Sequence, residues 1–160
     1  MISLEEKATQ LLAAQEQSLT RAVAACQAKC EALQRRDFNA LGDIIAELDS
    51  AIAESNHHDR NLARLLGRMP GHTERERFSA LLAQVGDAAG ILLSKRRDRL
   101  KGLLDELRLV SGENIRLINE MLTDVNAAVQ LLAEVVSAAQ PTYDHNRKRP
   151  LMPSMCEEFA

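Results

Sequence analysis

Aromatic side chains are nearly missing from this 160-residue sequence, which has no Trp, one Tyr and three Phe. Strands lean on aromatic and β-branched residues, so the shortage argues against a sheet. Apolar residues still make up 46% of the chain, mostly Leu and Ala, which suits helix-on-helix packing. An excess of one charge is also missing. A formal net charge of −3 gives no reason to expect nucleic acid. No apolar run reaches the roughly 18 uncharged residues of a membrane span. Asp87 interrupts the stretch 81–93, and Glu134 interrupts 125–139. The first residues lack a basic start followed by an apolar run, so no secretory signal is expected. Three cysteines cannot all pair within one chain, and Cys26 and Cys30 lie one helical turn apart. Reduced thiols in a cytoplasm, buried as small apolar side chains, are the expectation.

Proline is scarce and its placing gives the layout. Pro70, Pro141, Pro150 and Pro153 leave 1–69 and 71–140 free of it. Ser3-x-x-Glu6 is a capping box at the head of the first segment. Leu4, Ala8, Leu11, Gln15, Leu19, Ala22, Cys26, Cys30 and Leu33 then follow in steps of three or four. Asp37 is the expected start of a second helix. Its seam reads Leu41, Ile45, Leu48, Ile52, Ser55, Asp59, Leu62, Leu66 and Met69, ending at Pro70-Gly71-His72. Thr73-x-x-Glu76 is a second capping box. The third seam runs Phe78, Leu82, Val85, Ala89, Leu92, Arg96, Leu100, Leu103, Leu107 and Val110. It keeps its phase through Asn114, Leu117, Met121, Val125, Ala128, Leu132, Val135 and Ala139.

The pattern predicts an all-α, elongated, antiparallel bundle with coiled-coil-like seams. Three long helices near 3–36, 38–69 and 73–139 form a domain over 1–140, followed by an irregular, flexible tail over 141–160. Ser111-Gly112 is the expected place for a kink or break, since Gly costs about 1 kcal/mol in a helix interior. A third helix continuous to 139 and a fourth helix folded back from 112 both fit, and the unbroken phase favours the first. A projecting end would expose the stripe of 117–139. Such an apolar face wants a partner helix.

Enzyme-like features are thin. Glu54-x-x-His57 has the spacing of one helix of a di-iron site, but the sequence holds no second copy. Phosphorelay domains resemble His-x-Leu-Lys-Gly, whereas His57-His58 precede Asp59-Arg60-Asn61. Cys26-x-x-x-Cys30 lacks the further ligands of a zinc site. The basic run Lys95-Arg96-Arg97-Asp98-Arg99 with Lys101 has no interleaved aromatics and reads as a solvated face. Arg147-Lys148-Arg149 is a weak match to a targeting signal. Gly86 and Gly90 are either a close helix approach or tolerated helix glycines. No catalytic residue, metal ligand or cofactor is expected.

One constellation is more specific. Asn119 and Asn126 lie on a Leu-rich helix that closes on Thr142-Tyr143-Asp144-His145-Asn146. This arrangement resembles the FlgN family of flagellar export chaperones, except that Arg147 stands where many members have Gly. The resemblance implies a cytoplasmic, non-enzymatic chaperone for hook-associated proteins. It would prevent their premature assembly and deliver them to the type III export gate. On that reading Leu117, Met121, Val125, Ala128, Leu132 and Val135 hold cargo helices. Tyr143 and Asp144 contact the cytoplasmic domain of the gate's membrane protein. No nucleic acid and no direct membrane insertion are implied. The alternative is a structural coiled-coil homo-oligomer, and a homodimer through the same stripes is left open.

Overall fold

The computed structural model describes residues 3–139. Tyr143, Asp144, Cys156 and the expected tail lie outside the described residues. Four helices follow in order: α1, Leu4–Arg35; α2, Phe38–Leu66; α3, Glu74–Gln84; and α4, Asp87–Ala139. Among the described residues there is no strand. The all-α expectation holds.

Local chemistry sets the helix starts. The Glu6 N–H donates to Ser3 Oγ at 3.1 Å, and the Ser3 N–H donates to Glu6 Oε2 at 2.9 Å. Each satisfies a donor that the first helical turn leaves open. Asp37 caps α2 by accepting from the Ala40 N–H at 3.3 Å. Arg36, left-handed at φ 55°, closes α1 through its N–H to Ala32 and Leu33 carbonyls. The reversal between the two helices is therefore completed within two residues. Before α3, Glu76 Oε2 accepts from the His72 and Thr73 N–H groups at 2.8 and 3.3 Å. These bonds, His72's first, hold the Glu76 carboxyl below the usual carboxylate range.

The chain divides into two compact units, Met1–Leu122 and Thr123–Ala160. In the first, α2 runs antiparallel to α1, because Arg21 pairs with Glu47 and Gln15 with Asp59 further along. α4 runs parallel to α1, with Glu16 meeting Arg96 and Gln27 meeting Glu106. The core joins Ala8, Leu12 and Leu19 to Leu65 and Leu66 of α2, Phe78 and Leu81 of α3, and Leu93 and Leu100 of α4. The described part of the second unit, 123–139, is the final stretch of α4.

Some details differ from the sequence reading. First, the third helix is two helices. Val85 is extended (φ −99°, ψ 156°), and the Gly86 carbonyl accepts from the Gly90 N–H at 2.8 Å to start α4. The α4 helix then passes through Ser111-Gly112 unbroken to 139. The break thus falls at a β-branched residue followed by Gly and Asp, which favours a helix start over a helix interior. Second, α2 is rotated relative to the expected seam. Ile45 and Ile52 are exposed, while Ala51 is buried and Ile44 and His58 are half-buried. The face is Leu41, Ile44, Leu48, Ala51, Ser55, His58 and Leu62, a spacing equally helical. Of the two readings left open for Gly86 and Gly90, close helix approach does not apply. A Cβ on Gly86 would meet nothing within 4 Å, and one on Gly90 only an ordinary contact.

Three tests follow from these backbone details. A Cβ at Gly112 also meets nothing within 4 Å, so Gly112→Ala should raise stability by about 0.5–1 kcal/mol in chemical denaturation. Gly71 sits at φ +136° with its would-be Cβ 2.8 Å from the Glu76 Cβ, so Gly71→Ala should lower stability in the same assay. The third concerns pH. Because the folded carboxyl of Glu76 is depressed, its stabilisation is present above the unfolded pKa and lost as pH falls through the folded one. Glu76→Gln should therefore show a smaller loss of melting temperature on acidification than the parent.

Candidate binding surface

The α1–α4 seam in the first unit is polar at several points. Glu16 receives Arg96 Nη1 at 2.8 Å and Arg99 Nε at 2.7 Å, with only 16% of its side chain exposed. Arg97 lies over the Phe78 ring, 4.6 Å from its centroid. The basic run expected to be a solvated face is thus partly structural, with Arg96 and Arg97 half-buried. Further along, Asn114 is 3% exposed and donates Nδ2 to the Cys26 carbonyl at 3.0 Å and to its sulfur at 3.2 Å. Ser111 Oγ lies 3.5 Å from the same sulfur. This places Cys26 in the seam as a buried thiol with polar neighbours. Asn114 Oδ1 is buried without a hydrogen-bond partner, so this layer carries a desolvation cost that the Nδ2 bonds offset in part. Such single buried amides fix register between helices.

Beside that layer, an open groove of about 880 Å³ runs between the end of α1 and α4, lined by Gln27, Cys30, Gln34, Leu109, Gly112 and Arg116 among others. Its rim is already paired. Arg116 bonds Glu113 at 2.6 Å and also Glu120. Burial pushes the Cys30 thiol up, which works against a reactive thiolate. The Glu54/His57 pair is committed elsewhere. Glu54 receives Arg21 at 2.6 Å, and His57 Nε2 shares a hydrogen bond of 2.9 Å with Asn61. Among the described residues no group of three or more His, Cys, Asp or Glu side chains is placed to hold a metal.

The predicted cargo stripe falls in two parts. Leu117 and Met121, in the first unit, are half-buried. In the second unit Val125, Leu132 and Val135 are 57%, 64% and 65% exposed, and Ala128 is exposed as well. The stripe reading missed Val129, Leu131 and Val136, which are also exposed and widen the face. Val129 and Val136 lie three or four residues from Val125 or Leu132, and Leu131 lies four from Val135, which was the available signal. By length and composition alone, α4 is also long and apolar enough to cross a membrane, with an 18-residue window of mean hydropathy 1.2. Asp124 and Glu134 interrupt the apolar stretch, and an Asp at bilayer depth costs about 2.5–3.5 kcal/mol.

These features define an all-α protein whose longest helix ends in an uncovered apolar face and which offers no assembled catalytic constellation among the described residues. Compared with family patterns, residues 1–150 match FlgN, described as FlgN protein. The chain belongs to the FlgN family, a family of flagellar export chaperones. Searches of curated proteins and of solved structures returned no match.

The seam itself can be tested. Removing Glu16 strands Arg96, whose Nε already lacks a partner. Glu16→Ala should cost about 1–2 kcal/mol by urea unfolding. Arg21→Ala, which breaks the exposed pairs to Glu47 and Glu54, should cost less.

Proposed function

We propose that this chain is a cytoplasmic flagellar export chaperone, a binding protein and not an enzyme. It holds helical termini of hook-associated proteins, keeps them from assembling prematurely, and delivers them to the type III export gate. Family membership over 1–150 supports the chaperone role. The observation that carries the mechanism is the exposed row Val125, Val129, Leu132, Val135 and Val136. Large apolar patches are rare on solvated surfaces and mark interaction sites.

An amphipathic cargo helix would bury that row, with Ala128 leaving room for it and Leu117 and Met121 continuing the stripe. Each Val or Leu taken out of water contributes about 1.5–2 kcal/mol. Five of them roughly match the cost of association, about 4–15 kcal/mol. Hold without tight capture suits a carrier that must release its cargo. Delivery would use Tyr143 and Asp144 at the gate's cytoplasmic domain. That assignment is supported by the resemblance alone, since both residues lie outside the described ones. A Tyr is a good docking anchor because it buries much area at little entropic cost.

Leu132→Asp should weaken binding of a hook-associated protein's terminal helix at least tenfold by calorimetry while circular dichroism stays unchanged. Tyr143→Ala should spare that binding and weaken binding to the gate domain. Undiminished cargo binding by a fully helical Leu132→Asp chain would refute this surface.

A further inference from the structure

We infer that the groove between α2 and α4, filled at one end by α3, takes a helix of another protein over the rest of its length. The groove lies within the first unit and does not depend on the row at 125–136. α3 shows what fits there. Its Phe78 and Leu81 join Leu66 of α2 and Leu93 of α4 in the core. Arg97 lies over the Phe78 ring, and a Cβ on Gly90 would come 3.8 Å from the Leu82 carbonyl oxygen. α3 thus borders the Leu66 side of α2 and the Gly90–Arg97 side of α4.

Both sides continue past α3. At roughly 100° per residue, Gly90, Arg97, Leu104 and Ile115 fall within an arc of about 40° on α4. On α2, Phe38, Ile45, Ile52, Asp59 and Leu66 recur every seven residues, the spacing of a coiled-coil seam. α2 and α4 run in opposite directions, so the two rows leave α3 side by side. The 11 residues of α3 cover only the first part. Beyond it Ile52, Ile45 and Leu104 are exposed, and Phe38 and Ile115 are 63% and 60% exposed. Ile52 to Phe38 spans about 21 Å, or roughly four helical turns. Ile45 and Ile52, turned away from α1, are in place for a second partner.

Charge narrows what that partner is. Asp49 stands just outside the α2 row and Lys101 just outside the α4 row. Both are exposed, and neither is paired among the described residues. Charges flanking an apolar seam set partner choice and orientation between helices. The fitting helix has a Leu or Ile stripe of about four turns, a Lys or Arg on the edge toward α2, and an Asp or Glu toward α4. The 123–139 stretch of a second copy has no Lys or Arg and leaves Asp49 without a cation.

The test uses the full chain and two synthetic helices with the same Leu/Ile stripe. One has a Lys edge and a Glu edge, the other Glu on both. Calorimetry at low salt should show the mixed helix binding about threefold more tightly. Exposed ion pairs are individually weak, so about 1 M salt should close the gap, and Asp49→Lys should reverse it. Ile45→Asp and Ile115→Asp, on opposite walls, should each weaken binding about tenfold with circular dichroism unchanged, while Leu132→Asp should not. Binding undiminished in both wall variants would overturn the groove. So would loss in Leu132→Asp alone, which assigns the helix to the end of α4, or no binding of either helix to a fully helical chain. Equal affinities for the two helices would overturn the charged edges. Sedimentation showing dimers that Ile45→Asp dissolves would give the groove to a second copy instead.

Discussion

Within the first unit everything depends on how much of α1 is buried. Leu12, Leu19, Ala22, Val23, Ala25, Cys26, Ala32 and Leu33 cover more of its circumference than one partner helix can shield. The helix therefore needs neighbours on two sides. It has them: α2 antiparallel along one side, α4 parallel along another. With so few aromatics, Phe78 is the aromatic side chain in that core, and Leu and Ala fill most of the space between helices. Polar groups decide the helices' register. Arg21 with Glu47 and Glu54 positions α2, while Glu16 with Arg96, and Asn114 with Cys26, position α4.

Features that depend on neighbours within a few residues were readable from the chain alone. The capping boxes at Ser3 and Thr73 and the cap at Asp37 are such features, as each needs only a side chain and a nearby N–H. The α1 seam was readable too, because its apolar positions fit one register. The face of α2 was not. Ile44 and Ile45 are adjacent, and Ala51 and Ile52 are adjacent, so two registers satisfy the spacing equally well. Packing against α1, which buries Ala51 and Ser55 and leaves Ile45 and Ile52 exposed, is what distinguishes them. The Val85-Gly86 break was hidden because the seam keeps its phase across it. Gly112 misled in the opposite direction, since roughly 1 kcal/mol of lost propensity does not outweigh a long, packed helix. For the surface, the exposed stripe was legible and its full width was not. The proposed gate contacts lie outside the described residues.

The polar α1–α4 seam and the apolar end of α4 suit opposite tasks. Buried amides and paired carboxylates demand one geometry and reject approximate fits. A row of Val and Leu accepts any complementary apolar surface of helical shape. Placing specificity in the seam and tolerance at the surface lets a small chaperone stay folded whether or not it is loaded.

The two-residue reversal between α1 and α2 has a bearing on how the chain is made. Contacts across that turn are short in sequence: Arg21 meets Glu47 after 26 residues, whereas Asn114 meets Cys26 only after 88. Local contacts close before distant ones, because their loops cost less entropy. The α1–α2 hairpin can thus assemble on the ribosome while α4 is still unmade, and its half-finished bundle keeps an open apolar side until α4 arrives. For that interval the nascent chaperone is itself a client, with its own C-terminal half as the helix that covers it.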